Sequence, residues 1–204
     1  MKINDYDSIE RHWLHARKAL PPKDRELFEL FLGTLPINSK ILDLGCGHGA
    51  PIATLLATGG HKIVGIDRSE KLLGYARNTL PEHEWILSDL EDFEPADSYD
   101  GIVIWDSLFH LPRANQLTLL RKAAASLKPK GMLILSSGGS ENDIPPFTDQ
   151  MFGHTFFYDS FTVNQLLQHC SELGLNVIKS ILLNTPDGKR DKGRLGVVLQ
   201  KSKK

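Results

Sequence analysis

Three glycines spaced two apart, Gly45, Gly47 and Gly49, follow the apolar run Ile41-Leu42-Asp43-Leu44 and precede a stretch that can be helical. The order predicts a buried strand, a tight turn and a helix, and a turn without Cβ atoms lets another molecule touch the backbone. Asp67 lies 22 positions after Gly45 at the end of the next apolar run, where its carboxylate can accept two hydrogen bonds from a ribose diol. It can equally cap a helix with Ser69. Asp89, in Ser88-Asp89-Leu90, can receive an adenine amine while a neighbouring backbone amide donates to the ring. Asp106 with His110, and then Ser136-Ser137, again place polar groups at the ends of apolar runs. One pocket would gather all five groups, because ligands of open α/β sheets bind outside the carboxyl ends of the strands.

Positioning those ends requires a sheet. Strand-like runs fall at Lys40 to Leu44, Lys62 to Ile66, Glu84 to Leu87, Gly101 to Trp105 and Met132 to Leu135, with helical stretches at Pro51 to Thr58, Glu70 to Thr79 and Arg113 to Leu127. Continuous apolar strands with helical crossovers predict a mostly parallel sheet covered on both faces. The link between the third and fourth runs is short, and its sequence leaves open whether it holds a helix. Ahead of the sheet, Ser8 can cap a helix carrying Ile9, Trp13, Ala16 and Leu20, stopped by Pro21-Pro22, and a second helix runs from Lys23 to Leu35. These two either cover the ligand edge or patch the core. Residues 138–153, rich in Gly, Pro and polar residues, read as a long loop of the kind that carries function. A helix from Phe161 to Leu173 ends at Gly174, and two final runs, Val177 to Leu183 and Arg194 to Leu199, are joined by a turn-rich segment and should pair antiparallel.

Composition narrows the class. The 204 residues, 41% hydrophobic and 24% charged with a net charge of -1, suffice for one core and give no general pull toward nucleic acid or an anionic membrane. The expected division is a helical cap over residues 1–36 belonging to the same domain as an α/β body over 37–204. No apolar run is long enough to span a bilayer, and no leader-like segment opens the sequence. Cys46 and Cys170 read as two reduced thiols, and a cytoplasmic setting is the expectation. The tail from Lys201 and the basic run from Lys189 to Arg194 read as a solvated end and a solvated turn.

The chain resembles the class I S-adenosylmethionine-dependent methyltransferases over nearly its whole length. The matching segments are 41–49, Val64-Gly65-Ile66-Asp67, Ser88-Asp89-Leu90, 99–105 and 127–133, in order and at suitable spacing. The resemblance implies a Rossmann-like, mostly parallel seven-stranded sheet of order 3-2-1-4-5-7-6 with an antiparallel terminal strand; with helices on both faces and the two leading helices as an N-terminal helical lid, this is the expected α/β fold. It implies S-adenosyl-L-methionine as cofactor and S-adenosyl-L-homocysteine as product. Gly45, Cys46 and Gly47 would lie against the methionine part and Asp43 would help hold its amino group. Asp67, with Arg68 beside it, would hold the ribose, Asp89 and Leu90 the adenine. Trp105 and Asp106 would line the pocket beside the sulfonium, and Tyr6 would reach the cofactor carboxylate.

A sulfonium is already a strong methyl donor, so an acceptor needs chiefly to be held in line with water excluded. A hydroxyl acceptor would also want a general base, and His110, between the fourth strand and the next helix, is the candidate; with Asp106 it is the expected catalytic pair. His154 and Tyr158 could wall a substrate pocket, while Phe156, Phe157 and Phe161 read as loop anchors. His12 with His15, and Cys46 with His48, lack further ligands for a metal. The absence of an appended domain favours a small-molecule acceptor, with no nucleic acid or membrane partner and a monomer or homodimer. An Asp-Pro-Pro-Tyr-like element after the fourth strand would mark a nucleic-acid or protein amino-methylase, and Trp105-Asp106-Ser107-Leu108 stands there instead. Two other readings stay open: an NAD-binding oxidoreductase, although Gly-x-Gly-x-x-Gly would need glycine at Ala50, and a protein that binds the cofactor without using it.

Overall fold

The computed structural model describes residues 3–187 and 191–203, so Lys189 and Arg190 of the basic run and Lys204 of the tail lie outside the described residues. Two helices come first, α1 (Tyr6–Ala16) and α2 (Pro22–Thr34). Pro22 opens α2 at a position where no backbone donor is needed. The first helix starts earlier than a Ser8 cap predicts. Asp5 is its N-cap, and the Ser8 hydroxyl donates to Asp5 Oδ2 at 2.8 Å.

The body alternates β1 (Lys40–Leu44), α3 (Ile52–Thr58), β2 (Lys62–Asp67), α4 (Glu70–Thr79), β3 (Glu84–Leu87), β4 (Tyr99–Ile104), α5 (Arg113–Ser126) and β5 (Leu127–Gly138). No helix forms between β3 and β4. After β5 the predicted long loop is corrected: β6 (Phe147–Met151) and β7 (His154–Tyr158) pair antiparallel as a separate hairpin arm. Phe152 and Gly153, both at positive φ, make its turn. The β-branched and aromatic residues Thr155, Phe156, Phe157 and Tyr158 carried the strand signal, which the Gly and Pro content upstream masked. Then come α6 (Val163–Glu172), β8 (Leu175–Asn184) and β9 (Arg194–Lys201). Thr162 and Gln165 form a reciprocal capping box at the start of α6, and Gly174 takes the left-handed conformation just beyond its end.

The main sheet has the order β3-β2-β1-β4-β5-β9-β8. Strands β1 to β5 run parallel, while β9 pairs antiparallel with both β5 and β8, so the expected order and the reversed terminal strand are both found. Alternate residues of each central strand feed opposite layers. Leu42, Leu44, Ile102, Ile104, Leu133 and Leu135 pack under α5 and α6, whereas Ile41, Val103, Met132 and Ile134 pack under α2, α3 and α4. Helix α2 is thus part of the core as well as a neighbour of the ligand edge. Leu27, Phe28 and Phe31 are fully buried, and the Phe31 ring occupies the space that a side chain at Gly101 would need, 2.8 Å from the position of its Cβ.

Phe31→Ala should therefore destabilise the fold by about 3–5 kcal/mol, the usual cost of removing a fully buried aromatic ring. Urea unfolding checks this; a loss under about 1 kcal/mol would mean that α2 does not pack as described.

Candidate active site

A cleft opens at the carboxyl ends of β1, β2 and β4, beneath α1. Gly45 turns at φ 88° and its amide donates to Ile66 O at 2.8 Å, tying the glycine turn to β2. A side chain there would meet Ser107 Cβ at 2.4 Å, because Ser107 crosses the turn to donate from its hydroxyl to Leu44 O at 2.7 Å. The glycine is thus required by a close approach as well as by φ.

Asp67 is buried at the end of β2, and its carboxylate is already organised. Oδ2 accepts from Gly47 N at 2.8 Å and Oδ1 from Ser69 N at 2.9 Å. Burial raises its pKa and the two amides oppose that rise. Each oxygen keeps a lone pair for a further donor. Ser69 itself caps α4, accepting from Leu72 N at 3.1 Å, so the capping and ligand readings of this segment hold together. Asp43, 2% exposed, differs: its Oδ2 is buried without a hydrogen-bond partner among the described residues. Burial, and secondarily the charge of Asp67, push its pKa up to about 7. A buried acceptor of that kind suits a cationic ligand group.

The other anticipated residues are distributed unevenly. Cys46, Gly47, Arg68, Leu90 and Trp105 line the cleft. Asp89 does not; its Oδ1 is held by Arg68, with Nε at 2.6 Å and Nη2 at 2.5 Å, and Leu90 and Glu91 face the cleft instead. Its second oxygen has no such bond among the described residues. Burial pushes the Cys46 thiol well up, and it makes no disulfide. No group of three or more metal-ligating side chains occurs among the described residues.

His110 is enclosed rather than poised. Its Nδ1 lies 2.8 Å from Phe157 O, which can only accept, so Nδ1 carries the proton and Nε2 accepts from the Tyr6 hydroxyl at 2.8 Å. Burial lowers its pKa to about 4. Tyr6 in turn packs edge-on against Trp13 and Phe156, and burial raises its pKa. His110 lines the cleft with both ring nitrogens engaged, and the group is neutral at pH 7. His154 and Tyr158 sit on β7, and of the two only Tyr158 touches His110, with ring centroids 5.0 Å apart.

Several residues of the site were not anticipated. Trp13 of α1 and Arg17 just beyond it reach into the cleft, and Arg17 pairs with Asp106. Asp106 sits at φ 54° after β4; its Oδ1 accepts from Ser136 Oγ at 2.9 Å and from Arg194 Nε at 2.6 Å. Arg194, read from the sequence as part of a solvated turn, is instead drawn inward, its Nη2 donating to Asp24 at 2.6 Å. Two guanidiniums thus share two buried carboxylates, Asp24 and Asp106. The sequence did carry one signal: Asp24 lies three, four and seven positions before Leu27, Phe28 and Phe31, a carboxylate on the apolar stripe of a helix. Helix α1 is fastened on its other side too, by Ser69 Oγ donating to Asp7 Oδ1 at 2.5 Å and Lys71 Nζ to Asp7 O at 2.9 Å.

With this geometry in view, comparison with known proteins is informative. Residues 41–131 match the Methyltransferase domain family. A trans-aconitate 2-methyltransferase of Azoarcus sp. (strain BH72) is 34% identical over 107 residues, 51% of this chain and 42% of that one. The chain spans about half the length of the curated relatives it matches. Among solved structures, a S-adenosylmethionine-dependent methyltransferase from Methanosarcina mazei superposes with a TM-score of 0.72 at 19% identity, covering 91% of this chain and 99% of that one. A Burkholderia thailandensis 1,6-didemethyltoxoflavin-N1-methyltransferase, solved with its acceptor and S-adenosylhomocysteine, gives a TM-score of 0.70 at 18% identity over 97% of this chain and 84% of that one. Residues 41–131 thus match a methyltransferase domain, and the chain shares the fold of S-adenosylmethionine-dependent methyltransferases.

Two outcomes are expected from the site's electrostatics. Folding favours the protonated form of Asp43, whose pKa rises from 3.8 to about 7, so the native state holds a proton that the unfolded chain has released. Stability should therefore fall as pH rises through that window, by up to about 1.4 kcal/mol per unit. Asp43→Asn removes this contribution, and its urea-unfolding free energy should decline less steeply between pH 5 and 8; parallel curves would contradict the buried, unpaired carboxylate. Arg17→Met keeps the aliphatic stem but breaks the bond to Asp106, and limited proteolysis should cut within the first 20 residues severalfold faster while the sheet stays protected. An unchanged cleavage rate would mean that Arg17 does not fasten α1.

Proposed function

We propose that this protein is a class I S-adenosylmethionine-dependent methyltransferase acting on a small-molecule acceptor. The observation that carries the reading is the unpartnered, buried Asp43 oxygen beside the Gly45–Gly47 turn and the amide-organised Asp67. Together they offer an acceptor for a cofactor ammonium and a carboxylate aligned for a diol. The groups present fit the cofactor: Gly45 and Gly47 leave backbone open to it, Asp67 would hold the ribose, and Leu90 would meet the adenine. Trp13, Arg17 and Tyr6 would close over it.

When bound, the cofactor would supply a methyl group on a positively charged sulfur; an acceptor lone pair would take the methyl, leaving a neutral thioether, and an acceptor that carries a proton on the reacting atom would then release it to solvent. The chain's own work is to hold, align and exclude water. Asp106 is compensated by Arg17 and Arg194, and His110 is committed to Tyr6 and Phe157, so neither serves as a ready base. His110 acts as a positioning residue for Tyr6, and Asp106 as the anchor that draws both arginines to the site. The acceptor should therefore be a group already nucleophilic on arrival, such as a neutral amine, a ring nitrogen or an ionised oxygen. Among the described residues no helix is long and apolar enough to cross a membrane, and the unpaired Cys46 and Cys170 support a reducing, cytoplasmic setting.

Calorimetric titration with S-adenosylmethionine and, in parallel, with NAD tests the reading. The former should bind in the micromolar range and lose about tenfold or more of its affinity in Asp67→Ala, since a charge-assisted hydrogen bond is worth about 1.5–3 kcal/mol. Binding of NAD alone would refute the proposal.

A further inference from the structure

A second cavity of about 520 Å3 lies on the other side of the Asp106–Arg194 pair. Among the described residues, none that lines it lines the cofactor cleft. The two are nevertheless neighbours. The connection after β4 gives Trp105, Asp106, Ser107 and His110 to the cleft and Phe109 to the second cavity. The partition at Asp106 is one ion pair thick, with Arg194 Nε donating to Oδ1 at 2.6 Å.

Two features of this cavity point to an occupant. Tyr158 stacks between Phe147, at 5.4 Å and 17°, and Phe109, at 6.0 Å and 25°, so three rings in near-parallel planes stand along it. Ser137, at the end of β5, is 1% exposed, and its hydroxyl has no hydrogen-bond partner among the described residues. A buried hydroxyl left unpaired costs free energy that a ligand atom accepting its proton would remove. Aromatic walls favour flat, polarisable rings over saturated ones of equal size. The hairpin arm that supplies Phe147 and Tyr158 is also stitched to the cover of the cofactor cleft. Asn4 N donates to Thr155 O at 3.3 Å, Phe157 N donates to Asn4 Oδ1 at 2.8 Å, and His12 of α1 stacks on Phe152 at 5.2 Å.

We propose that the second cavity seats the methyl acceptor and selects a flat aromatic ring bearing a hydrogen-bond-accepting atom for Ser137, with its reacting substituent directed at the Asp106–Arg194 partition. This rests on the methyltransferase reading above. Contact with the donor requires Arg194 to swing off Asp106. Arg17 stays on that carboxylate and Arg194 Nη2 stays on Asp24, so a displacement confined to the Asp106 bonds leaves neither buried carboxylate uncompensated.

The test uses the whole chain loaded with S-adenosylhomocysteine and a matched pair of neutral probes, 2-naphthol and decahydro-2-naphthol, titrated by ligand-observed NMR. The aromatic probe should bind about three- to tenfold tighter than the saturated one. Ser137→Ala should weaken it about fivefold, and Phe147→Leu should erase most of the preference for the flat ring, both variants binding S-adenosylhomocysteine as before. Equal affinity for the two probes, 2-naphthol binding untouched by both substitutions, or no probe binding to a chain that binds S-adenosylhomocysteine would overturn this assignment alone. Failure to bind S-adenosylhomocysteine would overturn the methyltransferase reading, and the acceptor assignment with it.

Discussion

A carboxylate leaves water only at a cost, and this protein buries two of them, Asp43 and Asp67, around one glycine turn. The remainder of the site follows from how that cost is met. Asp67 meets it with two backbone amides, which exist because the turn at Gly45–Gly47 and the start of α4 at Ser69 both aim N–H groups at the end of β2. Asp43 meets it only in part. Its second oxygen is unpaired, and its raised pKa is the signature of that deficit. A cationic group placed there relieves both the desolvation and the repulsion from Asp67, so the folded chain holds free energy that ligand binding can release.

The same balance operates at the opposite wall of the cleft. Asp24 and Asp106 are compensated by Arg17 and Arg194, which come from the connector after α1 and from the first residue of β9. The pairing joins the N-terminal cover, the core helix α2, the end of β4 and the reversed strand β9 at one point. Removing Arg194 would leave Asp24 without an ion-pair partner among the described residues, which is more costly than never having made the pair. That Arg17 is fastened to the body through Asp106 gives α1 a defined closed position over the cleft, and the bonds from Asn4 to β7 extend the cover to the hairpin arm.

The sheet was legible in the sequence because each of its parallel strands is an apolar run bounded by a helical crossover, and β1, β3 and α4 fall on the predicted residues. The glycine turn and Asp67 were legible for a different reason, since their roles depend on local backbone and on one strand-to-strand offset. What the sequence hid is long-range pairing. Arg194 and Asp106 are 88 positions apart, and Arg194 and Asp24 170, so a basic turn looked solvated although its last arginine is drawn into the site. His110 looked like a free imidazole because the groups that engage it, Tyr6 and Phe157, are 104 and 47 positions away. Asp89 looked like a ligand group, and its pairing with Arg68 became visible only once β2 and β3 were side by side.

Asp43 is a buried carboxylate that a cationic partner would relieve, and its own titration reports on this without an intermediary. With aspartate labelled at the carboxyl carbon and Asp43→Asn used for assignment, NMR would follow Asp43 from pH 4 to 9 with and without S-adenosylhomocysteine. The account predicts a midpoint near pH 7 in the free protein, since burial and Asp67 push the pKa up to about 7, and a drop of at least about one unit when the ligand ammonium is present. A midpoint in the ordinary carboxylate range in the free protein, or one that does not move on ligand binding, would contradict it.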